Sequence, residues 1–258
     1  MYVFGVLIQD KYMTKSKKFL LAIFKLQTTP PENIEKIISC IDTGQKITFF
    51  SWKMFDIKIK DNIAFCDYNF DTEKADKLID KEKLFLKILV DLEIDFDYLK
   101  IIPNELSKYF FDKSSEIGEM KFAQQVNSYF RKIYSPTKTF LLIDLLDKYN
   151  ITSDYQSVFD YVYKNSDKLL DKQEMIREIQ FRSTYYSLKP LEIKTAQELA
   201  KRAFALFAAE TNCLFKLQKK NIFENLVLLS KSGSTNSYKY EFFKYPKNRP
   251  ILPKLFVI

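Results

Sequence analysis

The sequence predicts an α+β protein: a small N-terminal, mostly antiparallel sheet with one covering helix, followed by a predominantly α-helical body. Short apolar segments of strand length, separated by polar turns, fill residues 1–70. From residue 71 the apolar residues recur at the three- and four-residue spacing of amphipathic helices. We therefore divide the chain into an α+β sheet module, residues 1–70, and a mostly helical domain, residues 71–258, with a C-terminal strand-like segment.

The sheet module is predicted from apolar segments and one helix. The segments predicted as strands are rich in β-branched and aromatic residues; they are residues 2–8, 19–26, 46–52, 55–60 and 63–68. The pair Pro30-Pro31 opens the helix, because proline is accepted in the first turn. With this order of elements we expect a sheet that is covered on one face.

The helical domain is predicted around one long and very apolar helix, residues 195–216. Thr195 and Glu198 have the spacing of a capping box, in which each side chain satisfies a backbone N–H of the first turn. We expect this helix to lie in the core, with a solvated edge that includes Glu210. Other helices are predicted at residues 74–90, 120–133, 137–149, 153–163, 168–179 and 221–230.

The net charge of +8 comes almost entirely from lysine. Arginine, whose fork-shaped guanidinium suits phosphate and guanine, accounts for only five of the 41 basic residues. A lysine excess beside abundant Ile, Phe, Tyr and Asn is typical of an AT-rich genome. The charge therefore favours a nucleic-acid partner only slightly.

Three cysteines, Cys40, Cys66 and Cys213, lie far apart and form no C-x-x-C motif. Each has apolar neighbours, so we expect buried free thiols and a reducing, cytoplasmic location. No apolar run approaches the length that crosses a bilayer, so we expect no membrane partner.

The composition also excludes several kinds of active site. The chain has no histidine, which excludes Ser-His-Asp and Cys-His sites and histidine-ligated metals. Its four glycines are scattered, so neither a P-loop nor a dinucleotide-binding turn can form. We expect no cofactor, and an enzyme is less expected than a non-enzymatic protein.

Two groups of carboxylates are weak candidates for metal chemistry. As a strand, residues 91–97 would place four acids on one face, where hard oxygen ligands could hold Mg²⁺; they are Asp91, Glu93, Asp95 and Asp97. The alternative is that these acids face water while the apolar residues between them face the core. A second group, Asp42, Asp56 and Lys58, has the order of acids and lysine found in metal-dependent nucleases.

The C-terminal segment interleaves aromatic and basic residues, as single-stranded nucleic acid sites do. Three interpretations stay open: packing on the chain itself, contact with a protein partner, and stacking on bases. The candidate binding residues are Tyr238, Lys239, Tyr240, Phe242, Phe243, Lys244, Tyr245, Lys247, Arg249 and Phe256.

A polar-capped, alanine-rich pattern follows Arg182. Its matching residues are Ala196, Glu198, Leu199, Ala200, Arg202, Ala203 and Leu206. On this pattern residues 182–207 resemble an uncharacterised bacterial domain-of-unknown-function family. The resemblance implies no activity and no site residues.

From the absence of catalytic motifs we expect a non-enzymatic interaction or accessory subunit of a bacterial or mobile-element system of the defence or immunity type. It would act with a protein partner or as a homo-oligomer. The first alternative is a nucleic-acid-binding component that uses the basic, aromatic C-terminal segment. The second is a metal-dependent nuclease.

Overall fold

A parallel sheet forms the centre of the protein in the computed structural model, which describes residues 13–26, 34–60, 63–104, 115–169, 172–185, 191–229 and 254–255. In chain order the strands are β1 (Ile47–Trp52), β2 (Asp56–Lys60), β3 (Ile63–Asp67), β4 (Phe96–Ile102), β5 (Lys138–Leu141), β6 (Leu226–Leu229) and β7 (Lys254–Leu255). Five of them form one sheet in the order β5-β4-β1-β6-β7, and every neighbouring pair is parallel. Strands β2 and β3 form a separate antiparallel hairpin.

Helices cover both faces of this sheet. They are α1 (Lys15–Leu26), α2 (Ile34–Thr43), α3 (Thr72–Leu78), α4 (Asp80–Asp91), α5 (Glu116–Ile133), α6 (Leu142–Lys148), α7 (Thr152–Leu169), α8 (Lys172–Tyr185) and α9 (Ile193–Lys219). Helices α1, α2, α4 and α5 pack on the first face, where β1 contributes Phe49 to the core. Helices α6, α7 and α9 pack on the second face, where β1 contributes Phe50. Successive strand residues thus enter two different cores.

The chain winds outward from β1 and then returns to it. It passes from β1 to β4 and β5 on one side, and comes back through α9 to β6 on the other side of β1. This is a doubly wound, Rossmann-like α/β arrangement, and its strand order reverses between β1 and β6. Strand β1 therefore lies beside the reversal.

The predicted α+β class, a mostly antiparallel N-terminal sheet followed by a helical body, is wrong. Among the described strands only the β2–β3 hairpin is antiparallel, while β1 pairs in parallel with strands from far beyond residue 70. The sheet thus takes strands from both sides of the residue at which we divided the chain. Strands β1, β4 and β6 are almost fully buried and lack the alternation that marks a half-exposed strand.

Three short apolar segments were assigned to the wrong kind of element. Residues 19–26, predicted as a strand, lie in α1. The predicted helix at residues 137–149 is strand β5 followed by α6, and the one at residues 221–230 is a set of turns followed by β6. Runs this short and this apolar fit a buried strand or a buried helix equally well.

Other predicted elements are confirmed. Strands β1, β2 and β3 lie where the sequence placed them, as do helices α2, α5 and α7. The predicted helix at residues 74–90 is divided at Ile79 into α3 and α4. The predicted N-terminal strand at residues 2–8 lies outside the described residues.

The long apolar helix is confirmed as α9, which has 27 residues. More than half of them are buried, and the buried residues all lie between Ala196 and Leu217. Two details of the prediction are wrong. The helix begins at Ile193, before the proposed capping box, and its N-cap Glu192 makes no side-chain cap bond. Glu210 is 3% exposed and belongs to the buried face. No helix within the described ranges has the length and hydropathy to cross a membrane.

Candidate active site at the carboxyl edge of the sheet

A group of buried polar side chains lies near the carboxyl ends of β1 and β4. Ser51 is the second-last residue of β1, and its register partner on β4 is Lys100. Because the strands are parallel, their carboxyl ends meet at one edge of the sheet, which is where open α/β sheets bind ligands. Both side chains point to the first face, since they lie two residues from Phe49 and Tyr98 of that core.

The Lys100 ammonium donates a hydrogen bond to the Ser51 hydroxyl. The distance from Lys100 Nζ to Ser51 Oγ is 2.7 Å. The two residues are 3% and 2% exposed. The hydroxyl of Tyr98 lies 3.5 Å from the same Oγ. A serine hydroxyl is thus held next to an amine in a site with little water.

Glu82 completes the group from the first turn of α4. Its carboxylate pairs with the Lys100 ammonium, and it is 2% exposed. Two rings also face the ammonium, with Nζ 3.8 Å from the Phe130 ring centre and 5.1 Å from that of Tyr98. A buried cation is tolerated because the carboxylate and the ring faces replace the water it has lost.

Burial has the largest effect on the pKa of Lys100 and lowers it. Charge attraction to Glu82 and the hydrogen bond that Lys100 donates to it act in the opposite direction and raise the pKa. The net shift is downward, because removing the ammonium from water penalises its charged form most. A lysine with a lowered pKa is a stronger candidate for a proton acceptor than a lysine in water.

A second buried polar pair lies beyond the end of β4. The Asn104 side-chain amide donates to Glu119 of α5 at 3.1 Å, and its oxygen accepts from the backbone N–H of Ile143 in α6 at 3.2 Å. Asn104 thereby ties the start of two helices to the end of β4. Cys66 of the hairpin has a pKa raised to about 12, by burial first and by the charge of Glu119 second. This thiol is therefore a poor nucleophile.

The nuclease candidates lie on separate elements and are engaged in other pairs. Asp42 is exposed on α2. Asp56 on β2 accepts from Lys74 Nζ at 2.7 Å, whereas Lys58 pairs with Asp67 across the hairpin. The candidate lysine and carboxylate are thus each held by a different partner.

The four carboxylates of residues 91–97 do not share one strand face. Asp91 ends α4, and Glu93 lies in a turn with φ 51°. Asp95 is exposed before β4, and Asp97 on β4 pairs with Lys46 at 3.0 Å. Within the part of the chain that the structure describes, no group of three or more acidic or cysteine residues could hold a metal ion.

The basic, aromatic segment of residues 238–249 and Phe256 lie outside the described residues. The roles predicted for them stay predictions, as do the protein partner or homo-oligomer and the resemblance of residues 182–207.

Sequence reasoning missed Ser51, Lys100 and Glu82, although each carries a signal. Lys100 interrupts the apolar run of β4, and Ser51 follows the apolar run at the start of β1. Glu82 lies three and four positions before Phe85 and Leu86, on the apolar face of its helix. A charged or polar residue on a buried face needs a partner, and here the partners are one another.

No protein-family model matches the sequence, and no curated protein matches it. Two solved structures are similar in fold. The tyrosyl-tRNA synthetase of Archaeoglobus fulgidus in complex with L-tyrosine is 10% identical, with a TM-score of 0.46 over 84% of this chain and 55% of the synthetase. PvcA of Pseudomonas aeruginosa is 12% identical, with a TM-score of 0.47 over 83% of this chain and 79% of PvcA. This chain spans about half the length of the synthetase. Both TM-scores lie below 0.5, so no residue role is taken from either protein.

The predicted function, a non-enzymatic interaction or accessory subunit, is corrected by the fold and by the buried polar group at the sheet edge. It rested on the absence of catalytic motifs from the sequence and on the apolar, aromatic C-terminus. The chain instead has a doubly wound α/β fold, with a serine, a lysine and a glutamate buried together near its carboxyl edge. The nuclease alternative loses the residues on which it rested, because Asp56 and Lys58 are held by different partners. The nucleic-acid alternative rested on the C-terminal segment, which lies outside the described residues.

Proposed function

We propose that this protein is an enzyme that transfers an acyl group, with Ser51 as the nucleophile and Lys100 as the general base. The observation that supports this most directly is the 2.7 Å hydrogen bond between Lys100 Nζ and Ser51 Oγ on adjacent parallel strands. Serine–lysine pairs perform this chemistry on unrelated folds. The location near the carboxyl edge agrees with the position of ligands in doubly wound sheets.

The reaction balances with groups that the site holds. Neutral Lys100 accepts the proton of the Ser51 hydroxyl as the oxygen forms a bond with the acyl carbon. Collapse of the tetrahedral intermediate breaks the bond to the leaving group, which departs with the proton from Lys100. A second nucleophile, such as an amine, an alcohol or water, then attacks the Ser51 ester and restores the hydroxyl.

Glu82 affects the charge of Lys100, and the rings of Phe130 and Tyr98 affect which substrate group can enter. Glu82 stabilises the ammonium that forms when Lys100 takes the serine proton, because the two groups pair directly. The apolar rings of Phe130 and Tyr98 favour an uncharged acyl group over a phosphoryl group, whose charge would lose its water on entering. We therefore favour acyl transfer over phosphoryl transfer. We also place the protein in the cytoplasm, which its free cysteines support.

The test is covalent labelling with a fluorophosphonate, a reagent that phosphonylates activated serines and releases fluoride. We expect the wild-type protein to gain one adduct, which peptide mass spectrometry locates at Ser51. Ser51→Ala should abolish the adduct. Lys100→Gln should slow its formation strongly, because the amide cannot accept the serine proton.

The matched control is Ser166→Ala on α7. Ser166 is also buried, at 1% exposure, but its hydroxyl donates to the Tyr163 carbonyl within the same helix. This variant should label like the wild type, and circular dichroism checks that every variant is folded. If a folded wild-type protein gains no adduct at Ser51, or labels equally in Lys100→Gln, the proposal is wrong.

A further inference from the structure

Trp52, the last residue of β1, has a buried indole N–H with no acceptor among the residues that the structure describes. It follows Ser51 directly, so the two side chains lie on opposite faces of the sheet. The indole packs against the second-face core and meets the Phe50 ring edge-on, with ring centres 5.9 Å apart at 86°. One strand end thus presents a nucleophile on one face and an unsatisfied donor on the other.

A buried indole N–H ordinarily has a partner. The group can only donate, and leaving it unpaired away from water disfavours the folded state. Such an orphan in a protein calls for an explanation, and a bound ligand that brings an acceptor is one. At Trp52 the location supports a ligand, because β1 lies beside the reversal of strand order, where the crevice of doubly wound sheets opens.

We infer that the Trp52 indole N–H donates a hydrogen bond to the acyl group of the substrate. This inference rests on the proposed function and deepens it by naming the kind of acyl group. The group has an apolar body, because the indole packs against the apolar second-face core and meets Phe50 edge-on. It also carries an oxygen or nitrogen acceptor, which pairs with the indole. Because Ser51 and Trp52 face opposite sides of the sheet, the acyl group must pass around the carboxyl end of β1 to bring its carbonyl carbon to Ser51 and its acceptor to the indole.

Binding can be followed without labelling, because Trp52 is the only tryptophan of the chain. The probes are 4-methoxyphenylacetic acid, which has an acceptor on its ring, and phenylacetic acid, which lacks it. We expect the methoxy acid to shift or quench the tryptophan emission and to saturate this change. Half of the change should occur at about tenfold lower concentration than with phenylacetic acid, because one neutral hydrogen bond improves affinity by about that factor. Ser166→Ala is the control and should bind both acids like the wild type, because the Ser166 hydroxyl donates within its own helix.

Acylation is tested with the p-nitrophenyl esters of the same two acids. The Ser51 oxygen bonds to the acyl carbon, the ester bond breaks, p-nitrophenolate leaves, and Lys100 takes the serine proton. We expect the wild type to react about tenfold faster with the methoxy ester at limiting concentration. Trp52→Phe keeps an aromatic body but lacks the donor, so the ratio of the two rates should fall to about one.

The outcomes separate this inference from the proposed function. If Ser51 is acylated but Trp52→Phe keeps the tenfold ratio, the inference is wrong and the proposed function stands. If the acids change the emission with the expected preference while no Ser51 adduct forms, the binding role of Trp52 stands and the proposed reaction is wrong. Emission that does not distinguish the two acids in a folded wild-type protein overturns the inference directly.

Discussion

Ser51 and Lys100 occupy one register position on neighbouring strands, and the chemistry of the site depends on the protonation state of that lysine. Burial lowers the pKa of Lys100, so its amine loses its proton at a pH where a lysine in water is still charged. The rate of Ser51 labelling should therefore rise with pH and level off below the usual pKa of lysine. Lys100→Arg should remove this rise, because arginine stays protonated. A labelling profile shared by the wild type and Lys100→Arg would contradict the assignment of the base.

Glu82 is the group that opposes the effect of burial, and its removal should change both activity and stability. With Glu82→Gln the attraction that raises the pKa of Lys100 is lost, so the midpoint of the labelling profile should move to lower pH. Removing one partner of a buried pair also costs about 3–5 kcal/mol of folding free energy. Urea denaturation near neutral pH measures this loss.

Asp91→Asn on the same helix is the control for that measurement. Asp91 pairs with Lys87 at 2.8 Å, but both side chains are more than half exposed. Exposed pairs of this kind contribute about 0.3–0.5 kcal/mol. If the two variants lose similar amounts of stability, the Lys100–Glu82 pair is no more important than a surface pair.

The protonation of Lys100 also affects how the stability of the protein depends on pH. A lysine whose pKa is lowered in the folded state binds fewer protons there than in the unfolded chain, between the two pKa values. The contribution of Lys100 to the free energy of unfolding therefore increases as pH rises through that interval, which ends at the pKa of lysine in water. The direction is opposite to that of an ordinary surface lysine with an acidic partner.

Among the elements, α5 depends on a glycine near its N-terminus. A Cβ atom placed on Gly118 would lie 2.6 and 2.8 Å from two ring carbons of Tyr68, which is closer than packed atoms approach. Tyr68 is fixed there, because its hydroxyl accepts from the Ser115 N–H and its ring packs on Phe55.

Gly118→Ala should therefore destabilise the protein, although alanine favours a helix. The helix preference is worth about 1 kcal/mol, whereas overpacking costs about 1–3 kcal/mol. We expect a net loss of about 1 kcal/mol by urea denaturation. In a Tyr68→Ala background the same substitution should instead stabilise, because the clash is gone. A gain of stability in the wild-type background would show that the ring can move aside.

The elements also show where sequence reasoning succeeds. Helices with a polar side, such as α5 and α7, were predicted because water on one face imposes the helical period. The predictions were wrong for strands β5 and β6 and for helix α1, because four to six consecutive apolar residues have no periodicity that distinguishes a strand from a helix. The pairing of β1 with β6 joins Phe50 to Leu228, and nothing local in either segment encodes that contact. The site was missed for the same reason, since Ser51 and Lys100 are 49 positions apart.

At the scale of the whole molecule, both cores share strand β1, so neither should unfold without the other. The reactivity of the three free cysteines measures whether the two cores unfold together. Cys40 and Cys66 lie in the first-face core and Cys213 in the second, and all are buried. Burial raises the pKa of all three thiols, to about 12 for Cys66 and for Cys213. Native protein should therefore resist a disulfide reagent at mildly alkaline pH.

We expect all three thiols to react over the same range of urea concentration, followed by mass spectrometry of the labelled peptides. The shared strand makes opening of one face equivalent to global unfolding. Cys66 reacting at a lower urea concentration than Cys213 would show that the first face, or its hairpin, opens by itself. Such a result would support a structural division near residue 70.

The alternation of side chains along β1 has a consequence for how this protein can change. Ser51 and Trp52 are neighbours in sequence, yet their surroundings come from different helices: α4 and α5 around the serine, α7 and α9 on the tryptophan side. Substitutions in one set of helices can change the surroundings of the indole without disturbing the serine, and the reverse also holds. A single inserted residue ahead of Ser51 would exchange the two faces and lose both functions at once. The strand thus lets reactivity and selectivity evolve separately, as long as its length is kept.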